Sequence, residues 1–366
     1  MPFGFWREIL NERNPEGTFK SAFLERLAVE LPPTLDRRRR GASDPPPADV
    51  VAALRGAVIA AVKQGHLRAG LLPLCWEYEE QEVNFPEFAN GTDIVIPIRG
   101  AHDHLRRAMA SLEDVWHEYS YARCVAQDSE VGAIEALLST EERDFTSDII
   151  VSNPAPMGFA EACNWGLLRP AQSSGYLPRR VIFLNSDAAL GRYSIQAMMQ
   201  ALDMGFAAAG PWGTNISGFQ HLETDDEYIA THEKADALTN SILTSHTRPH
   251  GVVVAPFPRL VGFCLAVDTK AFLEVGAWDE VYGVGNFDDD DLSLRLALAY
   301  GAAGLGWCQN TVVSHAGHAT FHELGKNVLQ ESMSRNEAIF RERWEWLLTA
   351  VPNLWAMRGQ FKPVGR

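Results

Sequence analysis

Val181-Ile-Phe-Leu-Asn185-Ser186-Asp187-Ala188 runs four apolar residues straight into an amide, a hydroxyl and a carboxylate. So short an apolar run reads as a buried strand, and such a strand delivers the polar residues behind it to the edge of a sheet. Towards the N-terminus, similar runs occupy 93–98, 121–126 and 148–151, and the stretches between them, 102–116, 131–138 and 159–168, carry helical spacing. This alternation predicts an α/β fold with βαβ units on a mainly parallel sheet. Right-handed crossovers then bring the strand ends to one edge, where open α/β sheets bind ligands.

Beyond Asp187 the alternation loosens. Residues 193–202 read as a helix, 215–247 form a long polar excursion suited to an acceptor loop or a solvated insertion, and apolar residues return at Val252. Residues 1–90 read as a helical N-terminal extension. Apolar positions at helical spacing in Phe19-Lys20-Ser21-Ala22-Phe23-Leu24 are followed by a Pro-rich break at 44–47, a second helical run over 50–62 and a loop over 86–91. The division expected is therefore an extension over 1–90, the α/β domain over 91–325 and a C-terminal helical segment over 326–366 that carries Trp344, Trp346 and Trp355. Either flank could serve homo-oligomerisation or acceptor binding.

The composition narrows the function classes. With 366 residues, 46% of them apolar, the chain can bury a full core. Its 47 acidic against 32 basic residues give a net charge of −15, which opposes broad capture of nucleic acid or of an anionic membrane. The basic run Arg37 to Arg40 reads as a solvated linker or helix end. Cys75, Cys124, Cys163, Cys264 and Cys308 form no CxxC pair, so reduced thiols are expected rather than a disulfide framework or structural zinc. No apolar stretch nears the ~20 residues that cross a bilayer, and the start has no basic segment followed by an apolar core, so a cytoplasmic protein is expected. Phe3, Phe5, Trp6, Ile9 and Leu10 would dock on the body of the protein or, peripherally, on the inner membrane.

Besides 181–188, four segments carry the chemistry. Asp93-Ile-Val-Ile-Pro97-Ile-Arg99-Gly100 is a strand ending in a turn that frees backbone groups and an arginine. Asn153-Pro-Ala-Pro-Met-Gly158-Phe159-Ala-Glu-Ala-Cys-Asn164-Trp-Gly166 opens a helix with a glycine after a proline-bearing loop. Gly276-Ala-Trp278-Asp279-Glu280 precedes Asp288-Asp-Asp-Asp291-Leu-Ser-Leu-Arg295, where four adjacent carboxylates exceed what a helix dipole alone would attract. Packing like charges so closely raises at least one pKa, as a site holding a base or a cation requires. Thr311-Val-Val-Ser-His315-Ala-Gly-His318 ends a strand in two histidines.

Taken in order, these segments resemble the family 2 glycosyltransferases, bacterial glycan enzymes that include rhamnosyltransferases. The loop-helix is similar to that family's N-x-G-F-A-x-A-x-N-x-G, Leu184-Asn-Ser-Asp187 to its L-N-x-D form of the D-x-D motif, and 288–295 to its E-D-x-D-L-x-x-R. The resemblance covers about 93–324 and implies a GT-A fold, a Rossmann-like nucleotide-diphospho-sugar transferase domain. It implies an inverting transfer from a nucleotide-diphosphate sugar, with Mn²⁺ or Mg²⁺ on the diphosphate.

Carried over position by position, Asp289 becomes the base that deprotonates the acceptor hydroxyl, with Asp288, standing where glutamate is usual, as the second candidate. Asp187 and His315 become metal ligands, and His318 a phosphate contact or an exposed residue. Pro97, Arg99, Gly158, Phe159, Asn164, Asn185 and Arg295 fall on the donor side, and Asp128, just after the second strand, on the nucleotide base. Asp291 would orient its helix or pair with Arg295. The acceptor implied is a glycan or a lipid-linked glycan, ahead of a protein or a modified nucleic-acid base.

Two rivals are weaker. A nucleotidyltransferase expects a Gly- and Lys/Arg-rich loop after the first strand, and Ile98-Arg-Gly-Ala-His-Asp is too sparse. An inactive sugar-nucleotide scaffold has no need of the intact acidic cluster.

Overall fold

Each of the four apolar runs forms a strand, and the described residues gather them into one nine-stranded sheet. The computed structural model describes residues 88–344 apart from 101, 114, 139–147, 154, 175–176, 223–250, 256–257, 301–302 and 318–325. The extension expected over 1–90 (up to residue 87), Cys75, most of the polar excursion, His318 and the chain after Trp344 lie outside the described residues.

The alternating half runs β1 (Phe88–Pro97), α1 (His102–Glu113), β2 (Tyr121–Gln127), α2 (Asp128–Leu138), β3 (Asp148–Asn153), α3 (Phe159–Ser174) and β4 (Leu177–Leu184). The second half runs β5 (Ala188–Leu190), α4 (Ser194–Asp203), β6 (Ala208–Gly213), β7 (Val252–Val254), β8 (Cys264–Asp268), α5 (Thr269–Glu274), a 3-10 turn (Glu280–Tyr282), α6 (Asp288–Tyr300), β9 (Leu305–His315) and α7 (Lys326–Arg343). The strand order is β3-β2-β1-β4-β8-β6-β9-β5, with β7 also on β9. This is a mixed α/β sheet.

Ile94 to Ile96 and Val181 to Leu184 are fully buried, as strands covered on both faces must be. β1 pairs in parallel with β2 and β4, with Ile94 beside Ile182 and Ile96 beside Cys124. The polar exception is Asp93, which receives Arg123 at 2.6 Å with both side chains buried. Arg123 lies opposite Val95, two positions from Asp93, so the pair spans a same-face diagonal between neighbouring strands.

β1 begins inside the loop expected over 86–91. Phe88 and Ala89 pair with Leu177 and Pro178, and the register shifts before Thr92 meets Arg180. The bulge absorbs Asn90-Gly91, the turn-like pair that marks a loop in the sequence.

The directions of the strands place the site. β8 is antiparallel to β4 and to β6, while β9 is parallel to β6, so β4 and β9 end at the same edge and β8 starts there. That edge therefore receives the carboxyl ends of β1, β2, β4 and β9. The order also reverses between β1 and β4, the switch point where open sheets form a crevice. No helix among the described residues is long and apolar enough to cross a membrane.

Candidate active site

A cavity of about 610 Å³ opens at this edge and draws its walls from segments far apart in sequence. The end of β1 contributes Pro97 and the residues after it Ile98 and Arg99, the β3–α3 loop Met157 and Gly158, α3 its first residue Phe159, and the turn after β4 Asn185, Ser186 and Asp187. His315 comes from the end of β9, Arg259 and Gly262 from the segment before β8, and Asp288 and Asp289 from the first turn of α6.

The Gly158 loop is fitted against backbone. A Cβ on Gly158 would sit 1.9 Å from the carbonyl oxygen of Gly283, so only glycine passes there. The next residue donates its N–H to that same oxygen at 3.0 Å, and the Phe159 ring meets the edge of the buried Trp278 at a centroid distance of 5.3 Å.

Asp187 and His315 meet across the β5–β9 pairing, in which Ala188 lies opposite His315. The imidazole Nε2 is 3.1 Å from Asp187 Oδ1 and 3.2 Å from Asn185 Nδ2. Its backbone is fixed by Thr214, whose hydroxyl oxygen accepts from the His315 N–H at 2.9 Å and donates to the His315 carbonyl at 3.0 Å. Among the described residues no three His, Cys, Asp or Glu side chains form a metal site by themselves. One carboxylate and one imidazole nonetheless suit a hard dication that keeps waters and substrate phosphates as its other ligands.

Across the cavity, Asp289 is held on both oxygens. Oδ2 accepts from the Gly262 N–H at 3.2 Å and faces Arg259 Nη2 at 3.5 Å, while Oδ1 accepts from the Asp290 N–H at 2.9 Å. Arg259 also lies 3.1 Å from Asp290 and donates to Ser217 Oγ at 3.2 Å. Burial first, and then the charge of Asp289, pushes the Asp288 carboxyl up to about 8.

Asp291 faces the opposite way. Arg295 Nε donates to it at 2.8 Å, Arg343 at 3.0 Å, Trp344 Nε1 at 2.9 Å and the Tyr282 hydroxyl at 3.3 Å. Burial pushes this carboxyl up, but Arg295 and then Arg343 outweigh it, and the pKa ends below the usual carboxylate value.

Pro97, Arg99, Gly158, Phe159, Asn185, Asp187, His315, Asp288 and Asp289 all line the cavity. Three other residues expected at the site do not. Asn164 is buried and exchanges hydrogen bonds with the Trp278 backbone, donating to its carbonyl at 2.8 Å and accepting from its N–H at 3.1 Å. Arg295 donates to Asp291 and to the Val275 and Ala277 carbonyls at 2.6 and 2.7 Å, which ties α6 to the preceding loop. Asp128 opens α2 as an exposed residue, and the cavity is lined instead by its neighbours Gln127 and Glu130. Glu130 accepts from the Gly100 N–H at 2.6 Å.

Arg259 was not legible in the sequence, because a lone arginine between apolar residues gives no sign of the two aspartates it meets thirty positions later. The Gln127 position could have been found from the strand period, since the last residue of β2 is the one that reaches the edge.

No protein-family model matches the chain, and no curated protein matches it. Solved structures match it at low identity and low TM-score. TarS 1-349 of S. aureus shares 10% identity over 73% of this chain and 83% of that chain, with a TM-score of 0.42. The same protein in complex with UDP-GlcNAc shares 11% over 73% of this chain and 81% of that chain, with a TM-score of 0.40. The mannosyltransferase PcManGT from Pyrobaculum calidifontis, in complex with GDP-Man and Mn²⁺, shares 14% over 84% of this chain and 86% of that chain, with a TM-score of 0.38.

Proposed function

We propose that this chain is an inverting glycosyltransferase of the family 2 type, moving a hexosyl or deoxyhexosyl group from a nucleotide-diphosphate sugar to a hydroxyl of a glycan or lipid-linked glycan. The observation that carries this reading is that the Asp187–His315 pair and the Asp288–Asp289 pair face one cavity at the carboxyl edge of the sheet.

Charge supports a metal-bound donor. The cavity is lined by two arginines, Arg99 and Arg259, against four acidic residues, Glu130, Asp187, Asp288 and Asp289, an excess that remains with Asp288 protonated. A diphosphate entering such a site needs a cation, and Asp187 and His315 are the residues that would hold Mn²⁺ or Mg²⁺. When bound, the ion supplies neutralisation of the leaving diphosphate. The same acidic lining disfavours a nucleic-acid acceptor.

The two carboxylates of α6 divide the work. Asp289, fixed by Gly262, Arg259 and the Asp290 N–H, presents an anion at the floor of the cavity and takes the acceptor proton as the hydroxyl attacks the anomeric carbon. Asp288 retains its proton near neutral pH and donates a hydrogen bond to a substrate hydroxyl. Gly158 and Phe159 close the donor side, and Arg99 meets the diphosphate.

A panel of nucleotide-diphosphate sugars, with and without Mn²⁺, tests the reading by calorimetry and by release of the nucleoside diphosphate. One donor should bind and turn over only with metal, and EDTA should abolish both. Asp289→Asn should lower turnover by about 10²–10⁴ while donor affinity stays within about threefold. Failure of every donor to bind, equal binding in EDTA, or wild-type turnover in the variant would each overturn it.

A further inference from the structure

The segment that joins the 3-10 turn to α6 has backbone angles that need support. Gly283 has φ 58° and Gly285 φ 114°, but the next two residues are not glycines, and Asn286 and Phe287 have φ 72° and 70°. For an L-residue the left-handed region is disfavoured, more so for Phe than for Asn. Two such residues in succession persist only where the surroundings over-determine them.

The support comes from α7. Asn336 is fully buried, and its Nδ2 lies 2.6 Å from the carbonyl oxygen of Tyr282, 2.8 Å from that of Gly285 and 3.2 Å from that of Asn286. Turning the amide over would set its oxygen against three carbonyl oxygens, so its orientation is fixed by its partners. One residue earlier, Arg335 donates to the Val281 carbonyl at 3.1 Å, and one turn later the Phe340 ring packs on Phe287 at a centroid distance of 5.6 Å. Met333, Asn336 and Phe340 follow i, i+3, i+7, one face of the helix, and Met333 reaches the cavity wall.

The supported loop has two working ends. At one, the Gly283 carbonyl occupies the space beside Gly158 and accepts from the Phe159 N–H, fixing the donor loop. At the other, the chain passes directly into Asp288 and Asp289. Between them, Val284, Gly285, Asn286 and Phe287 line the cavity.

We infer that Asn336, which is not among the cavity-lining residues, is a positioning residue: through three backbone carbonyls it sets where the donor loop stands relative to the α6 carboxylates, which makes α7 a working wall of the site. Its kinetic consequence rests on the glycosyl-transfer reading above; its structural consequence does not.

Asn336→Ala tests it in the full chain, with Asn336→Ser as a milder variant should the first fold poorly. Glu337→Ala is the control, since it removes the exposed Glu337–Arg341 pair from the same helix without touching the loop. Hydrogen exchange should rise by about tenfold or more in peptides covering 281–290 and 156–162, with β1 and β4 unchanged. With the donor that wild type turns over, kcat should fall about 10- to 100-fold, as expected for a displacement near 1 Å, while the donor KM stays within about threefold.

Unchanged exchange in 156–162, uniform loss of protection across the sheet, or wild-type kcat would overturn the inference. If wild type turns over no donor, the glycosyltransferase reading fails by itself and the two-loop exchange pattern still decides the role of Asn336.

Discussion

Asp288 and Asp289 are adjacent, both buried and both at the cavity, yet their surroundings differ: Asp289 accepts from the Gly262 N–H, and Asp288 is raised by burial and by its neighbour's charge. A carboxyl whose pKa rises from the ordinary 3.8 to about 8 on folding takes up a proton between those values. Its contribution to stability is therefore complete below about pH 4 and is lost as the pH climbs towards 8. Asp288→Asn keeps the shape without the titration, so in metal-free buffer it should flatten that slope. It should gain on wild type by up to a few kcal/mol between pH 4 and 8, at about 1.4 kcal/mol per pKa unit. Urea unfolding of both proteins at pH 5 and pH 8 measures this, and parallel pH profiles would exclude it. At this scale the sequence motif gave the positions of the acids but not their division, because the difference lies in Arg259 and the Gly262 N–H, which only the fold brings up. Asn164 and Arg295 show the converse: a motif names a polar residue without saying whether it faces the cavity or the nearest backbone.

At the scale of elements, α6 and α7 depend on each other. Arg343, near the end of α7, pairs with both Asp279 and Asp291, its guanidinium lies over the Tyr282 ring, and Trp344 donates to the same Asp291 oxygen. Removing Arg343 takes an arginine from Asp279 and one of two arginines from Asp291 in a largely buried charge cluster, so Arg343→Met should cost roughly 2–4 kcal/mol. Arg341→Ala, which removes the exposed pair with Glu337, should cost about 0.5 kcal/mol or less. Thermal or urea unfolding compares the two, and similar losses in both would show that the cluster carries no special weight. α7 covers 326–343, and its link to α6 could not be read. Asp291 was expected to orient its helix or pair with Arg295, and it pairs, whereas Arg343 and Trp344 lie more than fifty residues further on. The elements missed by strand alternation have their own physical reason. β6 reads Ala-Ala-Gly-Pro-Trp-Gly, with no β-branched residue, because its neighbours leave little room. A Cβ on Gly210 would lie 2.6 Å from Gln220 Nε2, and on the adjacent β9 a Cβ at Gly306 would lie 2.8 Å from the Phe206 ring.

For the molecule as a whole, the parallel half of the sheet was legible because β1, β2 and β3 each carry a short apolar run and are followed by a helix, and β4 carries a fourth such run. The other half was not, since β8 inserts antiparallel between β4 and β6, and β9 pairs with strands separated from it by up to 127 positions, as in Ala188 beside His315. That insertion turns the start of β8 and the end of β9 towards the same edge, and so assembles one cavity from residues spanning 97 to 333.

The aromatic contact behind the donor loop gives this assembly an optical handle. Trp278 is fully buried and meets the rings of Phe159, Phe183 and Phe272, and of these Phe159 lines the cavity. A nucleotide that seats against Phe159 alters the packing of the indole without touching it. Intrinsic emission should therefore change as ligand is added to wild type, and the part due to this contact should vanish in Trp278→Phe, so occupancy of the cavity can be followed by fluorescence with no label attached.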